Sequence, residues 1–411
     1  MINVKRLDTG VILVTEYVEH VKSVTAGVWV GAGSVSEDEY PAGISHFTEH
    51  MMFKGTNKRD SKKIAMDIDR IGAQNNAFTG KEYTCYFVKS TEANIFKALD
   101  VLTDMIEDPM LLKEEMDRER NVIKEEIKMN FDSPDYLAME KASELVYAGS
   151  NLSNSILGTE DSIDEIDPDT MRSYINDFYT RDRMVISVAG NFKQEEIERF
   201  FENKFLNLNE SQRDFVERKA NYEKKEITIT KDIEQAHICM AVPAISTEDD
   251  RYYAMNVLSN AVGESMSSRL FQKVREEMGL AYSVASSLST NHRGGEFSIY
   301  AGVAKEKIED AIRGIKDVVN EVKEKGLTDE EISSSIEQLK SAYIYTQENM
   351  LARMIKNGKN TLLSGRIYTP EEIMEAYDRV DSSEIKNALD IIGDVENFSI
   401  AIVSGDVKNR S

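Results

Sequence analysis

The chain has few cysteines and no long apolar run, and each shortage excludes a class of protein. With 2 cysteines in 411 residues, a disulfide framework cannot hold the fold, and we interpret Cys85 and Cys239 as buried thiols in strands. No stretch reaches the ~18 to 20 apolar residues of a membrane span. The first residues, MINVKRLDTGVILV, lack the long apolar core and cleavage site of a signal peptide. We therefore expect a cytoplasmic protein with no membrane partner.

Positive charge is also in short supply. Lys and Arg number 50 against 73 Asp and Glu, which gives a formal net charge of −23. Such a chain repels phosphate backbones, so nucleic acid is not an expected partner. The remaining composition, with 41% hydrophobic residues, 22 Gly and 6 Pro, is that of an ordinary globular protein. At roughly 150 residues per domain, the length predicts two to three domains.

The chain contains an internal repeat. Residues 83–108 align without a gap on residues 296–321, and in both segments a strand leads into a helix with the same apolar face. A charged, apolar-poor stretch at 207–226 has the composition of a solvated linker. We therefore predict two homologous domains, 1–215 and 216–411.

Short strands and long helices alternate within each copy. The segments 23–34 and 236–245 have the composition of strands. The pattern predicts an α+β fold in which each domain is a largely antiparallel sheet with helices packed on it. It leaves the order of the strands open.

Two histidines stand four residues apart in the segment GISHFTEHMMFKGT. On a helix, His46 and His50 share one face, at the spacing that two imidazoles need to hold one metal ion. Glu49 precedes the second histidine, and a carboxylate there can take a proton from a metal-bound water, which is the general-base role in a metal hydrolase. The pattern is His-x-x-Glu-His, the inverted form of the common zinc protease pattern.

An alternative interpretation is a polar helix face that carries two histidines and an acid by chance. Two features of the sequence weigh against it. The chain has only 5 histidines, so two of them at this spacing beside a glutamate is an unusual coincidence. The same predicted helix is otherwise apolar, with Ile44, Phe47, Met51, Met52 and Phe53.

A catalytic zinc keeps three protein ligands and one open position, so a third ligand must come from elsewhere. The predicted helix at 114–129 carries Glu119 and Glu126, which are close to two turns apart and fall on one face. Glu125 points about a quarter-turn away. Glutamates on a charged helix usually form a solvated surface, and the spacing alone leaves that alternative open.

Three blocks of the chain resemble the pitrilysin or inverzincin zinc metallopeptidases, a family that includes mitochondrial processing peptidase and insulin-degrading enzyme. The segment GAGSVSEDEYPAGISHFTEHMMFKGT is similar to the ligand-helix block of that family. Residues 71–87 are similar to its substrate-strand block, and residues 118–127 to its third-ligand helix. The resemblance covers essentially the whole chain, including the repeat.

The resemblance implies a zinc cofactor and gives roles to five side chains. His46, His50 and Glu126 would be the zinc ligands, and Glu49 the catalytic base. Glu119 would support catalysis as a carboxylate close to the metal.

Substrate contacts are implied in both copies. Asn76 and Ala77 would line an edge strand to which a peptide adds by main-chain hydrogen bonds. In the second copy, residues 267–284 resemble the family's Arg-Tyr block, in which Arg275 and Tyr282 would stabilise charge on the substrate carbonyl. Without the resemblance, these two residues would be interpreted as an ordinary helix arginine and a buried tyrosine.

The implied function is that of a zinc-dependent endopeptidase or oligopeptidase, which hydrolyses peptides or unfolded segments in a closed chamber. In the family two half-units enclose the chamber, and this chain has the length of one half-unit. We therefore predict a homodimer with composite active sites. A non-catalytic peptide-binding or structural subunit of the same fold is the alternative.

Overall fold

The computed structural model describes residues 2–211, 216 and 218–406. Within these residues, helices and strands alternate along the chain. The strands are β1 (Ile2–Arg6), β2 (Ile12–Tyr17), β3 (Ser23–Val30), β4 (Gln74–Thr79), β5 (Thr84–Thr91), β6 (Met184–Gly190), β7 (Glu226–Thr230), β8 (Gln235–Ala244), β9 (Ala281–Asn291), β10 (Gly294–Ala304) and β11 (Ser399–Ser404). The α-helices are α1 (Ile44–Met52), α2 (Ser61–Arg70), α3 (Ile95–Glu107), α4 (Lys113–Asp132), α5 (Pro134–Val146), α6 (Glu160–Asp164), α7 (Pro168–Phe178), α8 (Gln194–Phe201), α9 (Tyr252–Ser259), α10 (Ile308–Lys325), α11 (Asp329–Gln347), α12 (Met350–Leu363), α13 (Pro370–Asp378) and α14 (Ser382–Ile392). Two π-helical segments, Asn260–Glu264 and Phe271–Glu277, follow α9.

The chain forms two compact units, and each is assembled from separate stretches of sequence. Unit 1 contains Met1–Ile127, Asn154–Glu217 and Tyr345–Ile367. Unit 2 contains the remaining segments, Lys128–Ser153, Arg218–Ile344 and Tyr368–Ser411. As a result, α12 from late in the sequence belongs to unit 1, and α5 from its first half belongs to unit 2.

Unit 1 is built around a six-stranded sheet in the order β1-β2-β6-β3-β5-β4. Strands β2 and β6 are parallel, and the other neighbouring pairs are antiparallel. The central strand β3 is buried along almost its whole length, because helices pack on both faces of the sheet. Its sequence, SVTAGVWV, is therefore a nearly continuous apolar run rather than an alternating one.

Helix α12 covers one face of this sheet, and two glycines allow a close approach. A Cβ atom added at Gly27 of β3 would lie 2.6 Å from Met354 Sδ, and one added at Gly358 would overlap the indole of Trp29. In the first turn of α12, Arg353 forms an ion pair with Glu16 of β2. Asn357 Nδ2 donates to the same carboxylate at 2.7 Å. Apolar packing, together with the ion pair and the hydrogen bond to Glu16, thus holds α12 on the sheet.

Unit 2 contains a five-stranded sheet in the order β7-β11-β8-β10-β9. Strands β7 and β11 are parallel, and the other pairs are antiparallel. Helix α5 packs on β8, β10 and β11. A separate apolar core contains residues of the sheet together with α9, α10 and α14, including Met255, Phe297, Ile315 and Leu389.

The two sheets repeat one topology. Apart from β1, the order β2-β6-β3-β5-β4 in unit 1 matches β7-β11-β8-β10-β9 in unit 2, with the parallel pair at the same end. Helices α3 and α10 begin at Ile95 and Ile308, which are equivalent residues of the repeat. The predicted α+β fold with two largely antiparallel sheets is therefore confirmed.

The proposed joint between the repeats near residue 215 lies outside the described residues. The assignment of 1–215 and 216–411 to two domains therefore stays a prediction. Among the helices that the structure describes, none combines the length and the apolar character needed to cross a bilayer.

Candidate functional site

Helix α1 carries three of the candidate site residues, and its first turn is held by a carboxylate from the preceding loop. Glu37, which is 3% exposed, accepts hydrogen bonds from the backbone N–H groups of Gly43 and Ser45, each at 2.9 Å. Gly43 adopts a φ of +88°, a conformation that glycine adopts without strain. Burial raises the pKa of Glu37 to about 7, against the opposing effect of these hydrogen bonds.

The histidine pair lies on a buried helix rather than on a solvated one. His46 is 7% exposed, and Ile44, Phe47, Met51 and Met52 of the same helix are almost completely buried. The two imidazole centroids are 4.5 Å apart. Burial, with a smaller contribution from neighbouring His50, lowers the pKa of His46 to about 3. His46 is therefore neutral at physiological pH, the form in which an imidazole binds a metal ion.

Glu126 of α4 completes a three-residue cluster with the two histidines. Its Oε2 lies 3.8 Å from Nε2 of His46 and 3.7 Å from Nε2 of His50. One ligand atom from each residue falls within 4.8 Å of the others, and this is the group of potential metal ligands found among the described residues. Zinc bonds to nitrogen and oxygen are ~2.0 to 2.2 Å long, so one ion can reach all three atoms. The donor set therefore fits a zinc ion with an open fourth position.

Glu119, two turns before Glu126 on α4, contacts the second histidine from behind. Its Oε1 lies 2.7 Å from Nδ1 of His50, and its Oε2 lies 2.5 Å from Nζ of Lys54. Burial by itself would raise the pKa of Glu119, but the hydrogen bonds from His50 and Lys54 outweigh burial and lower it. A carboxylate that accepts the Nδ1–H of a histidine leaves Nε2 available to a metal.

Glu49 lies beside the cluster and is 9% exposed. Burial raises its pKa, and a hydrogen bond from Thr79 acts in the opposite direction. The hydroxyl of Thr79 donates to Glu49 Oε2 at 2.5 Å. A buried carboxylate with a raised pKa is suited to accept and release a proton.

Strand β4 lies at one edge of the unit 1 sheet and carries Asn76 and Ala77. The N–H of Gly80 donates to the carbonyl of Tyr83 at 2.8 Å, which fixes the hydrogen-bonding register of the hairpin. Because such bonds alternate along an antiparallel pair, the N–H of Ala77 faces away from β5. There it donates to Oδ1 of Asn76 at 2.8 Å. The edge that a peptide would extend thus presents Ala77, with Asn76 beside it.

Arg275 and Tyr282 lie in unit 2, whereas the cluster of His46, His50 and Glu126 lies in unit 1. The guanidinium of Arg275 lies 4.6 Å from the ring centroid of Phe271. Tyr282, at the start of β9, is 64% exposed. The interpretation of Tyr282 as a buried residue is wrong, because its side chain points to solvent from an edge strand.

Sequence reasoning missed three residues that contact this site. Thr79 donates a hydrogen bond to Glu49, and Lys54 forms an ion pair with Glu119. Glu37 accepts hydrogen bonds from the first turn of α1. Thr79 lies 30 residues from Glu49 in the sequence, so no local spacing predicts that contact. Glu37 lies 6 and 8 residues before its partners, Gly43 and Ser45, but an irregular loop separates them, and no helix or strand periodicity predicts the contact. Lys54 follows His50 by four residues, a spacing that would place both on one face if the helix continued, although α1 ends at Met52.

Two family descriptions match successive parts of the chain. Residues 12–160 match the family described as Insulinase (Peptidase family M16), and residues 165–339 match the family described as Peptidase M16 inactive domain. The second match falls on a part of the chain that has no His-x-x-Glu-His sequence.

Similar proteins cover nearly the full length. An uncharacterized zinc protease of Bacillus subtilis, YmxG, is 38% identical over 403 residues, which is 96% of each chain. An uncharacterized zinc protease of Streptomyces coelicolor is 33% identical over 405 residues, or 96% of this chain and 88% of that protein. The crystal structure of a peptidase M16 inactive domain from Pseudomonas fluorescens superposes with a TM-score of 0.92 at 18% identity, over 99% of this chain and 98% of that one.

A duplicated α+β sheet, with an inverted His-x-x-Glu-His helix in the first copy, defines a pitrilysin-like peptidase fold of half-unit size. The family matches and the full-length relatives make the assignment specific. This chain belongs to peptidase family M16.

Proposed function

We propose that the protein is a zinc-dependent endopeptidase or oligopeptidase that hydrolyses peptides or unfolded segments. The observation that carries this proposal is the convergence of His46, His50 and Glu126 beside the buried carboxylate of Glu49. The names of the curated relatives, which are zinc proteases, support it.

His46, His50 and Glu126 would hold the metal. A zinc ion bound there supplies Lewis acidity, which polarises a carbonyl and makes a water more acidic. Glu49 takes the proton from the attacking water and gives it to the leaving amine. Thr79 keeps the Glu49 carboxylate in one orientation through its hydrogen bond at 2.5 Å.

The peptide would bind along β4 by main-chain hydrogen bonds. Ala77 presents its N–H on the open edge, where the side chain of Asn76 now accepts it. A substrate carbonyl would replace that side chain, so binding exchanges one hydrogen bond for another. This arrangement recognises the backbone of the substrate and sets few limits on its side chains.

A homodimer with composite active sites is part of the proposal. His46, His50 and Glu126 of one subunit would act with Arg275 and Tyr282 of the other, and these two would stabilise the charge that develops on the substrate carbonyl. The exposure of Tyr282 supports a role at such an interface. The net charge of −23 would favour basic or unfolded peptides in a closed chamber. A cytoplasmic location is also proposed, because both cysteines are free, buried thiols.

Elemental analysis and a cleavage assay test the catalytic proposal together. We expect about one zinc per chain, and cleavage of a quenched basic peptide by wild type. Glu49→Gln should retain zinc and lose activity. Metal-free, inactive wild-type protein would instead favour the non-catalytic binding or structural subunit.

Complementation between two inactive variants tests the composite site. Glu49→Gln and Tyr282→Phe should each be inactive as homodimers. A mixed dimer contains one site in which the intact Glu49 of one subunit meets the intact Tyr282 of the other, so mixing should restore activity. If mixing restores none while both variants still dimerise, each active site belongs to one subunit.

A further inference from the structure

Lys54 lies directly behind the candidate metal cluster. It follows the last residue of α1 by two positions and His50 by four. Its Nζ lies 2.5 Å from Oε2 of Glu119. The other oxygen of that carboxylate, Oε1, lies 2.7 Å from Nδ1 of His50. Each oxygen of Glu119 thus has one partner, and both partners come from the same stretch of chain.

The backbone that carries Lys54 is anchored on both sides. The N–H of Lys54 donates to the carbonyl of Met51 at 3.0 Å, and the carbonyl of Gly55 accepts from Met110 at 3.0 Å. Immediately afterwards, the hydroxyl of Thr56 donates to Asp104 at 2.7 Å.

Arg59 anchors the segment that follows Lys54 to helix α3. Its guanidinium forms ion pairs at 2.6 Å with both Asp100 and Asp104 of α3. Asp104 is 1% exposed, so the anchor is inside the unit rather than on its surface. The backbone of Lys54 is therefore held in place, and its side chain extends from there to Glu119.

Glu119 needs a second hydrogen-bonding partner because its carboxylate is buried close to other acidic side chains. Its side chain is 8% exposed, while that of Lys54 is 28% exposed. Two further carboxylates, Glu49 and Glu126, lie around the same two histidines. Without the lysine, a buried anion close to other acids would keep a single hydrogen bond, and its carboxylate could rotate away from His50. Loss of one partner from a buried charge is costly, and the remaining group then rearranges.

We propose that Lys54 is a positioning residue of the metal centre: by holding Oε2 of Glu119, it directs Oε1 to Nδ1 of His50 and so aims Nε2 of that histidine at the metal position. This inference rests on the proposed zinc function. It assigns to Lys54 no contact with substrate, metal or reacting atoms. Its effect reaches the metal only through Glu119 and His50.

Zinc affinity, measured by competition with a chromogenic chelator, tests the inference without an activity assay. Outer partners of metal ligands typically change affinity by roughly 10-fold to 100-fold, and we expect Lys54→Met to weaken zinc binding about 10-fold. Lys54→Arg retains a cation at this place and should stay within about 3-fold of wild type. Lys113→Met is the matched control, because Lys113 pairs with Asp117 at 3.0 Å on the exposed surface of α4. Its zinc affinity should equal that of wild type.

A double-mutant cycle separates positioning from general support of the fold. If Lys54 acts through Glu119, Lys54→Met should add less than about 2-fold to the loss caused by Glu119→Gln. The visible spectrum of the cobalt-loaded protein should also differ between Lys54→Met and wild type, because the orientation of His50 sets part of the ligand field.

Three results would overturn the inference. These are unchanged zinc affinity in Lys54→Met, a full additional loss in the double variant, or a lower melting temperature of the metal-free protein with an unchanged cobalt spectrum. In each of these cases wild type still binds zinc, and the proposed function stands. Failure of wild type itself to bind zinc would overturn the proposed function, and the inference with it.

Discussion

At the scale of single residues, Thr79 connects the edge strand β4 with the carboxylate proposed as the catalytic base. It is the last residue of β4, and its hydroxyl holds Glu49 at 2.5 Å. We predict that Thr79→Val lowers kcat about 10-fold and leaves KM within about 2-fold. Hydrogen bonds to charged groups contribute about 1.5 to 3 kcal/mol, while peptide binding along β4 uses main-chain groups that this substitution preserves.

Steady-state kinetics with one quenched peptide measures this effect. Thr79→Ser keeps the hydroxyl and should keep most of kcat, which makes it the matched control. An equal loss in both variants, or a loss confined to KM, would mean that the hydroxyl does not orient Glu49.

Glu37 predicts a pH dependence of stability in unit 1. Its pKa is raised from an ordinary 4.5 to about 7 in the folded chain, so between these values the native state binds more protons than the unfolded state. The free energy of unfolding therefore falls as pH rises through this window. Relative to Glu37→Gln, wild type should lose about 2 to 3 kcal/mol between about pH 5 and 8.

Urea unfolding followed by tryptophan fluorescence, with EDTA present, measures the difference between wild type and Glu37→Gln. The chain has 1 Trp, and Trp29 is completely buried in unit 1, so the signal reports that unit. Glu195→Gln, on the exposed side of α8, is the control and should follow wild type. A difference between wild type and Glu37→Gln that stays constant with pH would contradict the assignment.

At the scale of elements, α12 depends on the absence of a side chain at Gly358. An added methyl group there would overlap the indole of Trp29, which packing keeps in place. We predict that Gly358→Ala destabilises unit 1 by about 1 to 3 kcal/mol, because overpacking a closed interface costs more than the ~1 kcal/mol that alanine gains in a helix. The Trp29 unfolding transition should move to lower urea concentration.

Gly314→Ala on α10 is the comparison. There the added methyl would meet the flexible end of Met278, at 3.1 Å from its sulfur. This substitution should be neutral or slightly stabilising for unit 2, as measured by calorimetry, because Trp29 reports unit 1. If Gly358→Ala is equally harmless, α12 does not pack on Trp29 as closely as described.

The sequence predicts the candidate residues on α1 more readily than the residues that contact them. His46, Glu49 and His50 follow from helical spacing because these relations are local. The periodicity of α4 places Glu119 and Glu126 on one face, but their roles are implied only by the family resemblance. Thr79 is separated from Glu49 by helix α2, and Glu37 from Gly43 and Ser45 by an irregular loop, so no helical or strand periodicity predicts these contacts. Likewise, the repeat predicts that each sheet recurs, but an apolar helix face does not indicate which sheet it will cover.

At the scale of the whole molecule, the assignment of α12 to unit 1 predicts how an isolated first half behaves. Residues 2–211 contain one cysteine, Cys85, which in the full chain is completely buried in a cluster with Trp29 and Met354. In that fragment Cys85 should react with a thiol reagent, whereas in the full chain it should not. Adding a peptide of residues 345–367 should slow the reaction. Protection of Cys85 in the fragment without the peptide would contradict this prediction.

The late position of α12 has a consequence for synthesis of the protein. All strands of the first sheet leave the ribosome long before Met350 to Leu363 are translated. One face of that sheet, with Trp29 and Cys85, therefore stays uncovered on the nascent chain while most of the second repeat is still being made. The first repeat completes its core only after most of the second repeat has been translated, and a chain that terminates before α12 leaves an apolar sheet surface exposed to the cell.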